Sequence, residues 1–599
     1  MKKILIYLVA IVIAPVTLAQ QPQKIVILHT NDLHSRLQGY SPESAYSPLI
    51  VNDDKTVGGF SRIAAIIQNE KDAGGAVTIV ADAGDFLMGT LFQSLEARTG
   101  FQLNLMRRMG YDVVCLGNHE FDFGPDKLAG IIGSSKAKGE IPVMLCSNAV
   151  FSSRDNGDDK LEQLLAGNTL RKSVILERNG IRLGFFSILG KVADHDAPYA
   201  PPVTFAKQIS AAKKMVKELK SSGCDIIICL SHSGIEKNKK GEWDGEDVRL
   251  ARTVPGINVI LSGHTHTRLE KPLVVNGVTI VQTGEYGRYV GRLEMAYTNS
   301  KLVTDNYRLI PVDDRIQGDE AIQQEIDEQR SRVSSEILQP LGYEYERPVA
   351  ETDFQLECDV NGDFISSNLG PMVADAIHYY VNKHSNSGTD ISMVAAGVIR
   401  DYVIPGIQMA PDIFRIMSLG SGQGNVPGYP LARLYVTGKE LKNILEILQV
   451  AYKSSPDNFC YYSGLRVEYN PDKGLLRKIR KIEIIDREGN HKIVDFSKKN
   501  NTLYSITANS YMLEFIGIIK KMSFGLINVV PKNAEGVRIT DMKTAIIDMN
   551  EGIAGLQEGK EWLALMEYLA SMTDTDGDSI PDIDRKYSSA VKTFFAGGN

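Results

Sequence analysis

The sequence passes from apolar to polar within one short stretch, Lys24-Ile25-Val26-Ile27-Leu28-His29-Thr30-Asn31-Asp32-Leu33-His34. Its four consecutive aliphatic residues, three of them β-branched, predict a buried strand. Asp32 and His34 then fall in the loop that follows this strand. We therefore expect a strand that delivers two potential metal ligands at its carboxyl end.

The same succession of strand and polar loop recurs along residues 24–311. Short β-rich runs alternate with helical stretches, and this alternation predicts a layered α/β domain. The predicted strands are 25–28, 77–80, 113–116, 141–145, 183–188, 225–230, 259–261 and 278–283. The predicted helices are 59–73, 101–109 and 203–222, the last with an apolar stripe of Phe205, Ile209, Met215 and Leu219.

Five short motifs occupy loops just after these strands. They are Asp32-Leu33-His34, Gly84-Asp85, Gly117-Asn118-His119-Glu120, Ser231-His232 and Gly263-His264-Thr265-His266. Open α/β sheets bind ligands at the carboxyl ends of their strands, so we expect the five loops to converge on one site. Carboxylate, amide and imidazole groups together suit a pair of divalent ions such as Mn, Fe or Zn.

Asp85 is the candidate bridging ligand, because the two oxygens of a carboxylate can contact both ions. The other candidate ligands form two sets: Asp32, His34 and His266 for one ion, and Asn118, His232 and His264 for the other. Ions about 3.5–4 Å apart can hold a hydroxide and clamp an oxyanion during in-line attack. The alternative is coincidence, and His29, His195, His378, His384 and His491 are interpreted as ordinary core or surface residues.

His119 follows the candidate ligand Asn118 directly, so it can face the same cavity without binding metal. With Asp122 to orient it, His119 could stabilise the transition state and donate a proton to the leaving oxygen. We assign Glu120 a structural role and Asp82 a supporting or turn role.

The N-terminus predicts export. Lys2 and Lys3 precede an apolar run, residues 4–13, and small side chains follow before residue 20. This pattern predicts a cleaved signal peptide, residues 1–19, and a periplasmic or cell-surface location in a bacterium. A membrane anchor is the alternative, but the run is short for one.

The net charge of -7, without a long basic run, argues against a nucleic-acid duplex as partner.

Beyond the first domain, residues 24–315, a charged linker helix is predicted within 316–346. A second α/β domain follows over 347–560, with helices at 369–381 and 438–451 and strands at 464–469 and 479–485. A last helix near 561–571 begins the tail, 561–599. Cys358 and Cys460 are the two cysteines that we would test for a disulfide bond.

These motifs resemble those of the calcineurin-like metallophosphoesterases. More specifically, residues 27–34, 58–62, 116–122 and 262–266 are similar to segments of the 5'-nucleotidase family. The resemblance covers nearly the whole mature chain, closely up to about residue 300 and more loosely over 347–548. It implies a four-layered catalytic domain of two sheets flanked by helices, and an α/β substrate-binding domain. It also implies a cleft between them that opens and closes by domain rotation.

Residues 367–370 and 396–401 look like two signatures of the nucleotidase C-terminal domain. The resemblance implies that Arg400 helps to hold the substrate, and a guanidinium fork suits phosphate; a surface salt bridge is the alternative. It also implies a nucleobase stacked between two aromatic rings. Phe459 lies where the first ring is expected, with a core phenylalanine as the alternative.

Two segments depart from the family pattern. The Gly-Gly-Asp-Gly-aromatic loop is missing from residues 507–517, where Tyr511 or Phe515 would supply the second ring without the same backbone freedom. Residues 418–425 stand where the family has a compact Phe-Gly-Asn turn. Both departures are on the substrate side, so the motifs indicate the reaction and leave the substrate open.

The tail carries alternating acidic residues around Gly577: Asp574, Asp576, Asp578, Asp582 and Asp584. Such a loop suits the many-oxygen shell of Ca²⁺. It resembles a bacterial thrombospondin type 3-like calcium repeat, and it departs from an EF-hand because Arg585 stands at the twelfth position. A solvated acidic tail is the alternative.

We therefore expect an exported dimetal phosphoesterase, in which hydroxide held by the ions attacks a phosphate monoester of a nucleotide. The enzymatic alternatives use the same site on another ester: a cyclic-nucleotide phosphodiesterase, a UDP-sugar hydrolase or a thiosulfohydrolase-like enzyme. An alternative of another class is a calcium-dependent surface binding protein whose enzyme domain is vestigial. The complete ligand set argues against that alternative.

Overall fold

The computed structural model describes residues 22–40, 46–360, 362–424, 426–452, 458–474, 476–486, 488–512 and 529–596. The predicted signal peptide and Phe515 lie outside these ranges. In the described part of the chain, no helix is both long and apolar enough to cross a membrane.

A seven-stranded mixed sheet forms around the first strand of the chain. Gln23–Thr30 runs parallel to Val77–Asp82 with Thr30 opposite Asp82, so the two strands end at the same level. In spatial order the strands are Lys301–Pro311, Tyr289–Thr298, Gln23–Thr30, Val77–Asp82, Val113–Cys115, Val143–Leu145 and Leu170–Arg171. The antiparallel pair Tyr289–Thr298 and Lys301–Pro311 was not predicted from the sequence.

A second, six-stranded sheet packs on the first. Its central strands are parallel and its two outer pairs are antiparallel. In spatial order the strands are Leu273–Val275, Val278–Val281, Val259–Ser262, Ile226–His232, Ile181–Leu189 and Ser173–Arg178.

Alternating side chains of each strand face different layers, as a pleated strand requires. Ile25 and Ile27 point into a core that the second sheet closes with residues such as Ile228. Val26 and Leu28 point to the opposite face and pack against helical residues. Helices cover the outer face of the second sheet in the same way. The order helix, sheet, sheet, helix confirms the predicted four-layered α/β architecture.

The helices agree closely with the predicted ones where a prediction was made. They are Phe60–Ala73, Gln93–Thr99, Phe101–Met109, Pro125–Lys138, Asp159–Ala166, Lys191–His195, Gln208–Ser221, Glu246–Thr253, Glu320–Val333, Leu369–His384, Ala410–Ile416, Gly438–Ala451 and Glu561–Ala570. A π-helical turn, Ser334–Leu338, extends the linker helix.

One predicted helix boundary is wrong. The helix expected from residue 203 begins at Gln208, because Thr204–Phe205 pairs instead with Ala149–Val150. Phe205 therefore lies on a strand and packs against the ring of Phe121. It is not part of the apolar stripe of the helix. Cys358 and Cys460 are not joined by a disulfide bond, and the Cys358 sulfur contacts the hydroxyl of Tyr461.

The C-terminal part is a smaller α/β arrangement with its own core between the helix Gly438–Ala451 and two four-stranded sheets. One sheet consists of Leu431–Thr437, Leu503–Asn509, Ile391–Ala395 and Cys460–Ser463, and the other of His491–Ile493, Ile479–Ile485, Leu465–Tyr469 and Phe594–Ala596. Short pairs elsewhere are Pro348–Thr352 with Gly406–Met409 and Glu236–Lys237 with Trp243–Asp244.

Candidate metal centre and substrate face

The candidate ligand loops leave the two sheets at neighbouring strand ends and meet at one edge of the sandwich. Most of their ligands have left-handed backbones, which non-glycine residues seldom adopt. The φ angles are 52° for Asp32, 49° for His34, 56° for Asp85, 76° for His264 and 52° for His266. Such concentration of strained backbone is typical of functional sites.

The first set of predicted ligands is assembled. Donor atoms of Asp32, His34 and His266 lie within 4.8 Å of one another. The two imidazole Nε2 atoms are 3.3 Å apart, and Nε2 of His266 is 3.5 Å from Oδ1 of Asp32. Asp32 and His34 are buried, and a buried carboxylate needs a compensating charge such as a metal ion.

The second set is assembled beside it. Donor atoms of Asp85, His232 and His264 lie within 4.8 Å of one another, and Oδ1 of Asn118 is 3.1 Å from a ring nitrogen of each histidine. Oδ2 of Asp85 is 3.0 Å from Nε2 of His232 and 4.0 Å from Nε2 of His34. Asp85 therefore reaches both sets, as a bridging ligand must.

Backbone carbonyls orient two of the imidazoles. Nδ1 of His34 lies 3.0 Å from the carbonyl oxygen of Met88, and Nδ1 of His232 lies 2.8 Å from that of Ala83. Donation from each Nδ1–H leaves Nε2 with a lone pair aimed at the ligand cluster. The hydrogen bonds of the backbone thus select the tautomer that a metal requires.

The electrostatics of the cluster also suit cations. Burial lowers the pKa of His34 well below its usual value and that of His264 to about 4, so both rings are neutral ligands. His232 differs. Burial opposes its protonation, but Asp85 outweighs burial and raises the pKa of His232 to about 10. A divalent ion beside Asp85 would replace this proton as the counter-charge.

Glycines in the motifs leave room for this packing. A Cβ on Gly84 would come within 2.8 Å of Nδ1 of His232, and a Cβ on Gly117 would come within 2.2 Å of Oδ1 of Asp85. Only glycine therefore lets the two loops approach the ligands this closely.

Glu120 ties two ligand loops together, a role more specific than the structural one that the sequence predicted. Its carboxylate accepts hydrogen bonds from the backbone N–H groups of Gly117 at 2.6 Å, Leu87 at 2.9 Å and Asp85 at 3.1 Å. The side chain is fully buried. Its place next to His119 in the Gly-Asn-His-Glu motif was the available signal.

Asp82 plays the predicted supporting part, accepting from the N–H of Gly84 and the hydroxyl of Thr30.

Known proteins share this organisation. Residues 25–268 match the calcineurin-like phosphoesterase family, and residues 348–517 match the 5'-nucleotidase C-terminal domain. The chain belongs to the 5'-nucleotidase family. It is a metal-dependent phosphoester hydrolase, as predicted.

Individual members of the 5'-nucleotidase family are distant in sequence. The 5'-nucleotidase of Bos taurus is 25% identical over 504 residues, which cover 78% of this chain and 79% of that protein. A 5'-nucleotidase precursor from Thermus thermophilus superposes with a TM-score of 0.67 at 20% identity, covering 96% of this chain and 99% of that one. The sulfate thiohydrolase SoxB of the same organism has a TM-score of 0.60 at 17% identity, covering 96% and 97%. The two structures show a shared fold.

In this member of the 5'-nucleotidase family, His119 stands at the ligand cluster without joining either set. Its Nδ1 is 2.7 Å from Oδ2 of Asp122, and its ring lies edge-on to that of His34 at 5.2 Å. Burial acts to lower the pKa of His119, but Asp122 and Asp85 together raise that pKa above its usual value. The geometry allows His119 to hold a proton beside the metals.

Arg400 of the C-terminal domain acts electrostatically on the ligand cluster. Burial has the largest effect on the pKa of His34 and of His119, and the Arg400 guanidinium also lowers both. Its positive charge therefore acts on the ligand cluster from the opposite domain. The backbone carbonyl of Arg400 accepts a hydrogen bond from the hydroxyl of Tyr286 at 3.0 Å.

Two tyrosines from the C-terminal domain form an aromatic stack near Asp122. The rings of Tyr429 and Tyr511 are 5.3 Å apart and 16° from parallel, and Tyr199 stacks on Tyr429 at 5.7 Å. Tyr429 was missed by the sequence reasoning, although it lies in the segment Gly428-Tyr429-Pro430 just before a strand. Phe459 is buried between Tyr452 and Tyr461.

The acidic tail folds against strand Pro348–Thr352. Two groups have donor atoms within 4.8 Å of one another: Glu351, Asp576 and Asp578, and Asp574, Asp576 and Asp582. Glu351, which the sequence did not suggest, is held there by backbone hydrogen bonds to Pro581 and Ile583. Asp584 instead caps the turn Arg585–Tyr587 by accepting from the N–H of Lys586 at 2.8 Å.

Proposed function

We propose that this protein is an exported 5'-nucleotidase-like enzyme that hydrolyses a phosphate monoester. One observation carries the proposal: Asp85 connects two adjacent ligand sets, and the hydrogen-bonded pair His119 and Asp122 lies beside them. A dimetal cluster with a separate proton donor is what phosphate ester hydrolysis needs.

The donor set fits two divalent ions. Asp32, His34 and His266 would hold one, Asn118, His232 and His264 the other, and Asp85 both. When bound, such ions supply an activated water and neutralise the charge of the phosphate oxygens. Mn, Zn and Fe all accept such a mixture, because imidazole nitrogen suits Zn and Fe and carboxylate oxygen suits Mn.

His119 would donate its proton to the leaving oxygen from Nε2, since Nδ1 is engaged with Asp122. Burial raises the pKa of Asp122, while the neighbouring imidazole acts in the opposite direction. The raised pKa of His119 favours its protonated form, which would supply the proton as charge develops on the leaving group.

Arg400 would bind the phosphate from the C-terminal domain, because its charge acts on His34 and His119 and a guanidinium can donate two parallel hydrogen bonds. We assign Tyr511 to the substrate side on the strength of its stack with Tyr429. Phe459 and Phe515 are retained as proposed substrate contacts from the resemblance. The domain bounds 24–315 and 347–560 and the linker 316–346 are part of the same proposal.

A second candidate substrate class is favoured by the aromatic stack. Tyr429 and Tyr511 are in ring contact, so no planar base fits between them unless the rings separate. This supports an ester without a nucleobase, such as a sulfur ester of the kind that a thiosulfohydrolase cleaves. A cyclic nucleotide and a UDP-sugar remain alternatives on the same metal site.

The discriminating experiment is a substrate panel with the purified, Mn-loaded protein. AMP, a cyclic nucleotide, a UDP-sugar, a thiosulfate ester and 4-nitrophenyl phosphate would be compared by kcat/KM. We expect AMP and 4-nitrophenyl phosphate to be cleaved, and the Asp85→Ala variant to cleave neither. Preference for the sulfur ester would select the second class, and preference for the cyclic nucleotide or the UDP-sugar would select one of the other phosphate esters. No cleavage of any ester would support the vestigial, calcium-dependent surface protein.

We also propose that the tail binds Ca²⁺, with Glu351 joining Asp574, Asp576, Asp578 and Asp582. The carboxylate oxygens supply hard ligands of the kind that Ca²⁺ prefers. Calcium titration by calorimetry should give one binding event that Asp576→Asn abolishes and that Asp584→Asn, at the neighbouring turn cap, preserves. Equal binding by both variants would contradict the assignment. A stabilising or tethering role, not catalysis, follows from its place outside the ligand cluster.

A further inference from the structure

Arg400 is connected to the metal ligands through a buried polar network at the domain interface. The network consists of Arg36, Tyr286, Asp401 and Arg415, and we call it the Asp401 network. Arg36 and Tyr286 come from the phosphoesterase domain, and Asp401 and Arg415 from the C-terminal domain.

Asp401 is the centre of the network. Its Oδ2 accepts from Nη2 of Arg36 at 2.9 Å and from Nε of Arg415 at 3.0 Å. All three side chains are less than a tenth exposed. Burial raises the pKa of Asp401, but the two guanidinium groups outweigh it and hold that pKa below its usual value. The carboxylate therefore remains ionised between two cations.

Aromatic rings fix both arginines. The guanidinium of Arg36 lies 4.2 Å from the ring centroid of Tyr286, and that of Arg415 lies 3.6 Å from the centroid of Tyr40. Such cation–π contacts orient a planar guanidinium as well as stabilising it. Asp412 adds a further ion pair with Arg415 at 3.0 Å.

Tyr286 connects the network to the metal ligands on one side and to Arg400 on the other. Its backbone N–H donates to the carbonyl of Asp32 at 2.7 Å, and its ring lies edge-on to His34 at 5.6 Å and His266 at 5.7 Å. Its hydroxyl donates to the carbonyl of Arg400 at 3.0 Å. One residue thus contacts the ligand loops and the backbone of the proposed phosphate-binding arginine.

We propose that the Asp401 network positions Arg400 above the ligand cluster and thereby sets the affinity for the phosphate group. Arg400 and Asp401 are consecutive, so an anchored Asp401 side chain and an anchored Arg400 carbonyl leave little freedom to the backbone between them. Arg36, Tyr286, Asp401 and Arg415 are positioning residues, because they act through Arg400. The inference rests on the proposed function, in which Arg400 binds phosphate.

The mildest test is Tyr286→Phe, which removes the hydrogen bond to Arg400 and keeps the ring. We expect KM for 4-nitrophenyl phosphate, and Kd for inorganic phosphate measured by calorimetry on the Mn-loaded protein, to rise about 5-fold, as expected for one lost hydrogen bond. The value of kcat should change less than about 2-fold, since the chemistry does not involve Tyr286. Tyr289→Phe is the matched control, because that ring contacts Arg268 and should change neither constant.

A double-mutant cycle then asks whether the effect passes through Arg400. In an Arg400→Gln background, Tyr286→Phe and Arg36→Lys should cause no further loss of phosphate affinity. Losses of equal size in both backgrounds, or a lower kcat at unchanged KM, would overturn the positioning role. Asp401→Asn removes the carboxylate that pairs with buried Arg36 and one of the two that pair with Arg415, and it can prevent folding. The two milder variants are therefore used for the test.

The outcomes separate the two proposals. If the wild-type protein bound phosphate but cleaved no ester, the proposed function would be refuted. The double-mutant cycle on phosphate affinity would still test whether the Asp401 network positions Arg400. A wild-type protein that binds no inorganic phosphate would overturn the network's role.

Discussion

Nδ1 of His119 and Oδ2 of Asp122 lie 2.7 Å apart in a buried pair three residues apart in sequence. The five-residue 3₁₀ helix His119–Phe123 places both side chains on one face. The short spacing therefore builds a proton-holding pair from a single turn of chain.

Replacing His119 with asparagine should lower kcat by about 10²–10⁴-fold and leave two metal ions per chain. The loss should be larger for an alkyl phosphate than for 4-nitrophenyl phosphate, because a poor leaving group needs the proton more. Steady-state kinetics with both esters and metal analysis check this. Asp85→Ala is the contrast, since it should lose metal as well as activity; unchanged hydrolysis in either variant would refute the assignment.

Glu120→Gln should weaken metal binding by about 10–100-fold, the range seen when groups that hold metal ligands in place are changed. The glutamine amide would place its own N–H donors against one or more of the three backbone N–H groups that now donate to the carboxylate. Metal affinity is measured by competition with a chelator. The control is Glu140→Gln at an exposed ion pair, which should retain wild-type affinity.

Glu96 should make stability depend on pH. Burial raises the pKa of this carboxyl from 4.5 to about 8, and Oε2 has no hydrogen-bond partner in the described part of the chain. The native state then binds more protons than the unfolded state between these pH values, so stability falls as pH rises through that window.

We expect Glu96→Gln to have a higher Tm than wild type at pH 9 and an equal Tm at pH 4, because glutamine mimics the neutral acid. Thermal unfolding at several pH values measures the difference. Glu162→Gln, at an exposed position, should follow the wild-type profile throughout. A Tm difference for Glu96→Gln that is independent of pH would contradict the prediction.

Gly420→Ala should destabilise the substrate face. Gly420 has φ of 87°, and an added Cβ would come within 2.0 Å of the ring of Tyr429. We expect a cost of about 1–3 kcal/mol from backbone strain and overpacking, together with an altered KM as the Tyr429 ring moves. Denaturant unfolding and kinetics test this. Gly424→Ala, in the same loop with no side chain within 4 Å, should be close to neutral.

Much of the fold was predictable because its signals are local. The helix Gly438–Ala451 and the strand Ile479–Ile485 have the predicted bounds, since each is a run with one clear period. The start of the helix at Gln208 was not predictable, because the pairing of Thr204–Phe205 with Ala149–Val150 joins residues far apart in the chain.

The candidate metal ligands followed from one rule, that loops at strand ends converge. The same rule would have found Tyr286, which follows the strand Val278–Val281. Arg36 also lies in such a loop, after the strand Gln23–Thr30. Tyr429 had no such signal, because its importance depends on its contact with the other domain.

The sequence by itself determined the reaction class. Metal ligands can be recognised in a sequence because their side-chain chemistry is distinctive and because they follow predicted strands at short spacings. The tertiary structure alone decided how Asp85 reaches both ligand sets, how Glu120 ties their loops, and how Arg36 and Tyr286 hold the backbone beside Arg400. These relationships join groups that are tens of residues apart or, for Arg36 and Asp401, 365 residues apart. They depend on distance and burial, and neither quantity is encoded in any local stretch of sequence.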